Sequence, residues 1–83
     1  MHRVLLVGGG KIGRTVARLL TTTRDYVVRV VDADRRALDA LPSHPRIERV
    51  LADATDRRAL LSLMRDRDTA VSAVGHRLDA RVE

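Results

Sequence analysis

The chain has 83 residues, no cysteine and a formal net charge of +5. A chain this short makes one small domain, and without cysteine it has neither a disulfide framework nor a thiolate metal site. The positive charge is almost all arginine, scattered along the chain and interleaved with aspartate, and Tyr26 is the one aromatic residue. With no basic run and no stacking platform, the arginines read as a solvated surface, and nucleic-acid binding is not expected.

Met1-His2-Arg3 precedes an apolar run of only Val4 to Val7. That is too short for the core of a signal peptide or for a membrane span of about 20 residues. A soluble cytoplasmic protein is expected. The run ends in glycines and reads as a strand buried on both faces. From Lys11 to about Thr22, Ile12, Val16, Leu19 and Leu20 fall at helical spacing, with Arg14 and Arg18 outward. The β-branched run Thr21-Thr22-Thr23 should fray that helix. Tyr26 to Val31 is a second strand, closed by Asp32. Asp34 to Leu41 is a short helix that Asp34 helps to start, with Ala37, Leu38 and Leu41 inward; Pro42 and Pro45 end it.

Ile47 to Leu51 is a third strand and Asp53-Ala54-Thr55 a turn. Asp56 to Arg67 is a third helix, with Asp56 placed well at its N-terminus and Leu60, Leu63 and Met64 as its buried stripe. Thr69 to Val74 is a fourth strand, broken by Gly75. The order β-α-β-α-β-α-β implies a parallel sheet with right-handed crossovers. The fold class is therefore α/β: a Rossmann-like parallel sheet of four strands in the order 3-2-1-4, half of a doubly wound domain.

The glycine turn carries the clearest chemistry. Gly8-x-Gly10-x-x-Gly13 follows a strand directly and opens a helix, the context that raises the motif above chance. Gly8 permits the tight turn, Gly10 lets a pyrophosphate approach the backbone, and Gly13 lets the helix pack on the strand. The free N–H groups near Lys11 and Ile12 then face the phosphates along the helix dipole. Taken alone, three glycines also make an ordinary tight turn, and Lys11 reads as solvent-facing or as a phosphate contact.

Asp32 closes the second strand, where the fingerprint expects an acidic residue. A carboxylate there accepts both ribose hydroxyls of an adenosine and repels a 2′-phosphate. NAD is the expected cofactor, with NADP kept open by Arg35 and Arg36, which read otherwise as an exposed helical face. Asp53 and Ala54 lie at the carboxyl edge of the sheet, where Asp53 either meets the adenine amino group or caps the third helix. His2, His44 and His76 are isolated, so no metal site is expected, and no catalytic residue is assigned.

Three further stretches complete the pattern: Val30-Val31-Asp32-Ala33-Asp34, Leu51-Ala52-Asp53-Ala54-Thr55-Asp56 with Leu60, and Val71-Ser72-Ala73-Val74. With Val4-Leu5-Leu6-Val7-Gly8-Gly9-Gly10-Lys11-Ile12-Gly13 they resemble the N-terminal domain of the saccharopine dehydrogenase family, over nearly the whole chain. That resemblance implies NAD- or NADP-dependent oxidoreductase chemistry and cofactor contacts at Gly8, Gly10, Gly13, Asp32 and Asp53. Gly75-His76 departs from the proline usual after the fourth strand. The stretch Gly8 to Gly13, Asp32 and the Asp53-Ala54-Thr55-Asp56 turn also resemble the nucleotide-binding regulatory domain of potassium-uptake systems and channels.

Residues 1–83 thus read as the N-terminal, adenosine-binding half of a Rossmann dinucleotide-binding domain. The remaining strands and a substrate domain are not in this sequence. The chain is expected to be a truncated or split piece, pairing with a second copy or with a separately encoded complement.

Overall fold

The computed structural model describes residues 1–73; Val74, Gly75 and His76 lie outside the described residues. Seven elements follow one another: β1 (His2–Val7), α1 (Lys11–Thr21), β2 (Tyr26–Asp32), α2 (Arg35–Asp39), β3 (Ile47–Leu51), α3 (Arg57–Met64) and β4 (Thr69–Ser72). The strands form one parallel sheet in the order β3-β2-β1-β4. Both the element order and the strand order are those expected from the alternation of apolar runs with amphipathic stretches. Among the described residues, no helix is long and apolar enough to cross a membrane.

Side chains alternate across a strand, so register assigns the two faces. Val4 pairs with Val28 and Leu6 with Val30 across β1 and β2, and Val28 pairs with Ile47 in β3. Leu6, Val28, Val30 and Ile47 form one buried cluster with Ala17 of α1 and with Leu38 and Leu41 at α2. Leu5, Arg29 and Val31 face the other way. Arg29 there donates Nη1 to the Leu63 carbonyl of α3 at 3.0 Å, which puts α3 on the opposite side from α1 and α2. Leu5 and Val31 are fully buried on that side.

The helix ends follow from local chemistry. Asp34 accepts the Arg36 N–H at 2.9 Å and Asp56 accepts the Ala59 N–H at 3.2 Å, so both aspartates are the N-caps their positions suggested. The hydroxyls of Thr21 and Thr22 donate back to the Arg18 and Leu19 carbonyls at 2.9 and 2.6 Å, competing with the ladder where α1 stops. Two arginines close the C-terminal ends. Arg46 donates Nη2 to the Thr21 carbonyl at 3.0 Å, and Arg49 donates Nε to the Leu38 carbonyl at 2.8 Å and Nη2 to that of Leu41 at 3.0 Å. These side chains complement the negative helix end rather than serving only as solvated charge.

Two helix faces depart from expectation. In α1, Ile12 and Leu19 are exposed, while Gly13 and Ala17 are buried and Val16 and Leu20 pack on the core. Gly13 must lie against the end of β1, and that contact sets the helix rotation. Residues three, four and seven positions on then share its face, and Ile12 and Leu19 do not. In α3, Leu60 and Leu63 are only half-buried and Met64 is exposed, so the expected stripe buries nothing completely. The Arg29 guanidinium meets that helix's last turn at the Leu63 carbonyl. In β4 each residue is exposed. The strand lies at the sheet edge, paired on one side by β1.

Candidate functional site

All four strands are parallel, so their carboxyl ends share one edge, and each candidate cofactor residue closes or follows one of them. The turn after β1 is tied to β2. Gly8 donates its N–H to the Val31 carbonyl at 2.8 Å, and Gly9 donates to Asp32 Oδ2 at 2.6 Å. The next strand end joins the same edge through the Ala52 N–H, which donates to the Asp32 carbonyl at 3.1 Å.

The glycines differ in what requires them. Gly8 has φ 100°, a backbone conformation that side chains disfavour. At Gly13 a Cβ would sit 2.0 Å from the Gly8 carbonyl oxygen, so close packing of α1 on the turn excludes any side chain. Gly10 is different. Its φ of −65° and ψ of −154° suit any residue, and a Cβ placed there meets no atom within 4 Å. Nothing in the fold asks for glycine at position 10.

Gly10 is also the N-cap of α1 and brings no side-chain cap. The helix ladder starts with the Arg14 N–H donating to the Gly10 carbonyl at 2.8 Å. The N–H groups of Lys11, Ile12 and Gly13 precede it and have no partner within the helix. Together with the positive end of the dipole they suit an anion. Lys11 is exposed beside them and lines a shallow cavity of about 250 Å³ with Ile12, Thr15 and Val16.

Asp32 is half-buried at the end of β2, with Oδ2 on Gly9 and Oδ1 accepting the Asp34 N–H at 2.8 Å. The glycine turn and Asp32 are therefore in direct contact. Spacing pointed to both residues, but no signal in the spacing pointed to the Gly9 N–H that joins them.

Asp53 and Ala54 lie on the same edge, but the Asp53 carboxylate is turned onto its own loop. Its Oδ1 accepts the Thr55 hydroxyl at 2.7 Å and the Thr55 N–H at 2.9 Å. These bonds, the hydroxyl first, hold its pKa below the ordinary carboxylate range. The cap of α3 is Asp56, so of the two roles considered for Asp53 the helix cap is set aside. Among the described residues no group of three or more histidines and carboxylates could hold a metal ion.

Known proteins with this arrangement are similar in fold and, in part, in sequence. The structure of the Bordetella bronchiseptica enzyme WbmH in complex with NAD+ is similar at TM-score 0.73 with 28% identity, over 88% of this chain and 25% of that one. The UDP-glucuronic acid 4-epimerase from Bacillus cereus in complex with NAD is similar at TM-score 0.70 with 20% identity, over 86% of this chain and 26% of that one; it shows the fold alone. The chain thus spans about a quarter of these solved proteins. No curated protein matches it in sequence. The family model described as the saccharopine dehydrogenase NADP binding domain matches residues 4–82, nearly the whole chain, with the glycine turn, Asp32 and Asp53 all inside the match. The chain belongs to that family.

Proposed function

We propose that this chain binds the adenosine diphosphate part of NAD, as the cofactor-binding half of an oxidoreductase. Gly10 is the observation that carries the reading. The fold explains Gly8 and Gly13, yet position 10 has an ordinary backbone and open space around it. A residue kept small where neither strain nor packing requires it suits a ligand that approaches the backbone. In this reading the pyrophosphate lies over Gly10 and meets the N–H groups of Lys11 and Ile12. Asp32 accepts the ribose hydroxyls, and the adenine lies toward Asp53 and Ala54. WbmH, at 28% identity, is described as an NAD+ complex, which supports a ligand of this class. Bound NAD supplies hydride-transfer chemistry. The substrate groups come from a further domain or a partner, and no residue among 1–83 is assigned to catalysis.

NAD is favoured over NADP. The Asp32 carboxylate is held by two main-chain donors and faces the side of the turn where the ribose would lie. A 2′-phosphate there would meet a fixed negative charge, and like-charge contact costs several kcal/mol as an order of magnitude. Calorimetric titration tests both statements. The wild-type chain should bind NAD at least about tenfold more tightly than NADP. Gly10→Val should abolish NAD binding while the circular dichroism spectrum stays that of wild type. Equal affinity of Gly10→Val and wild type sinks the phosphate-turn reading. Equal or tighter NADP binding means that Arg35 or Arg36 outweighs Asp32.

A further inference from the structure

The Asp32 carboxylate ties together two loops that belong to different crossovers. Oδ2 holds the Gly9 N–H at 2.6 Å, in the turn between β1 and α1, and Oδ1 holds the Asp34 N–H at 2.8 Å, in the turn between β2 and α2. Gly9 is buried and Asp32 half-buried, so water is a poor substitute for the Gly9 bond; the Asp34 bond is exposed. A Cβ at Gly9 would lie 3.4 Å from Val30 Cγ1 and 3.5 Å from Asp32 Oδ2. These are ordinary van der Waals distances, so it is the short hydrogen bond, not crowding at Gly9, that ties the peptide to the carboxylate.

Three successive glycines give this turn more backbone freedom to lose on ordering than any other triplet would. Two main-chain hydrogen bonds from the turn to β2 oppose that freedom: Gly8 to the Val31 carbonyl, and Gly9 to the Asp32 side chain. The second lies one residue before Gly10, at the point where the N–H groups of α1 begin to take their direction. Asp34, fixed by the same carboxylate, caps α2 through the Arg36 N–H at 2.9 Å.

We propose that Asp32 is a positioning residue for the phosphate turn, governing the binding of phosphate groups it does not touch. Each carboxylate oxygen has two acceptor sites, so an oxygen that accepts a main-chain N–H can also accept a ribose hydroxyl. The positioning role therefore coexists with the ribose contact. An amide cannot perform it. Asparagine has one acceptor oxygen, and its NH2 group would turn donors toward the N–H of either Gly9 or Asp34.

The proposal rests on the dinucleotide reading only for its ligand arm, and the test separates the two. In ligand-free Asp32→Asn, the amide of Gly9 or of Asp34 should exchange with solvent at least about tenfold faster than in wild type, while amides of the β1–β2 ladder stay unchanged. In calorimetry, inorganic pyrophosphate and ADP should both bind about tenfold more weakly to the variant. Weakening of ADP alone, with pyrophosphate unchanged, makes Asp32 a ribose ligand only and overturns the proposal. So do unchanged exchange rates at both amides. If wild type binds neither ligand, the dinucleotide reading fails and the exchange rates still decide this one. If the variant does not fold, wild type decides: scalar coupling across the hydrogen bond from the Gly9 nitrogen to the Asp32 carboxyl carbon is expected, and its absence overturns the proposal.

Discussion

At the scale of single residues, one turn holds glycines that the fold needs and a glycine that it does not. Gly13 and Gly10 lie three positions apart, and substitution separates them. Gly13→Ala puts a methyl group 2.0 Å from the Gly8 carbonyl oxygen, a backbone atom that can give way only if α1 lifts from β1. Overpacking of this kind costs about 2 kcal/mol or more, which in a domain of this size lowers Tm by roughly 10 °C. Gly10→Ala meets no atom within 4 Å, so its Tm should stay within about 3 °C of wild type. Thermal melting followed by circular dichroism checks the pair. Equal losses in the two variants would mean that Gly13 is not a packing position. The fingerprint spacing named Gly8, Gly10, Gly13 and Asp32 without any structure, because a repeated chemical task leaves a repeated spacing. The orientation of Asp53 left no such trace, because one hydroxyl two residues away decides where that carboxylate turns.

At the scale of elements, periodicity was a good guide to what forms and a weaker guide to which way it faces. Each strand and helix appears where apolar runs and caps placed it, and β3 has the same ends that the pattern indicated. Rotation about a helix axis is a different question. In α1 it is set by the Gly13 contact, while a charge network lies against the last turn of α3. Arg29, in the middle of β2, donates Nε to Glu48 of β3 at 2.8 Å and Nη1 to Asp66 beyond α3 at 3.1 Å. Asp66 also accepts from the Arg67 guanidinium, and the arginines, Arg67 foremost, hold its carboxyl well below the ordinary value of 3.8. A carboxylate whose pKa is depressed in the folded state stabilises that state above the unfolded pKa, and the contribution fades as pH falls through the folded one. Asp66→Asn should therefore lower Tm at pH 7, and the gap to wild type should narrow steadily once pH drops below about 3.8. Both proteins melted across this range check it. A gap that stays constant into acid assigns the loss to something other than the charge.

At the scale of the whole molecule, the two edges of the sheet are not alike. The β3 edge carries Glu48 and Arg49, charges of the kind that discourage strand-to-strand pairing. Among the described residues the β4 edge, Thr69-Ala70-Val71-Ser72, has no charge and no proline, and all four residues are exposed. Val71 is 39% exposed there. Two further apolar side chains are open on α1, Ile12 and Leu19, and two on α3, Leu61 and Met64. An unguarded edge strand and scattered apolar exposure on both layers favour association with another chain. The net charge of +5 opposes self-association at low ionic strength, and salt screens that repulsion. The purified chain should therefore form dimers or larger species at high concentration, more so as salt is raised. Val71→Lys places a charge in the middle of the free edge while leaving the β1 pairing intact, and should shift the population to monomer. Light scattering on both proteins at low and high salt is the measurement. Wild type that stays monomeric throughout removes association from this account, and Val71→Lys that associates as strongly as wild type moves the contact from the β4 edge to the open faces of α1 and α3.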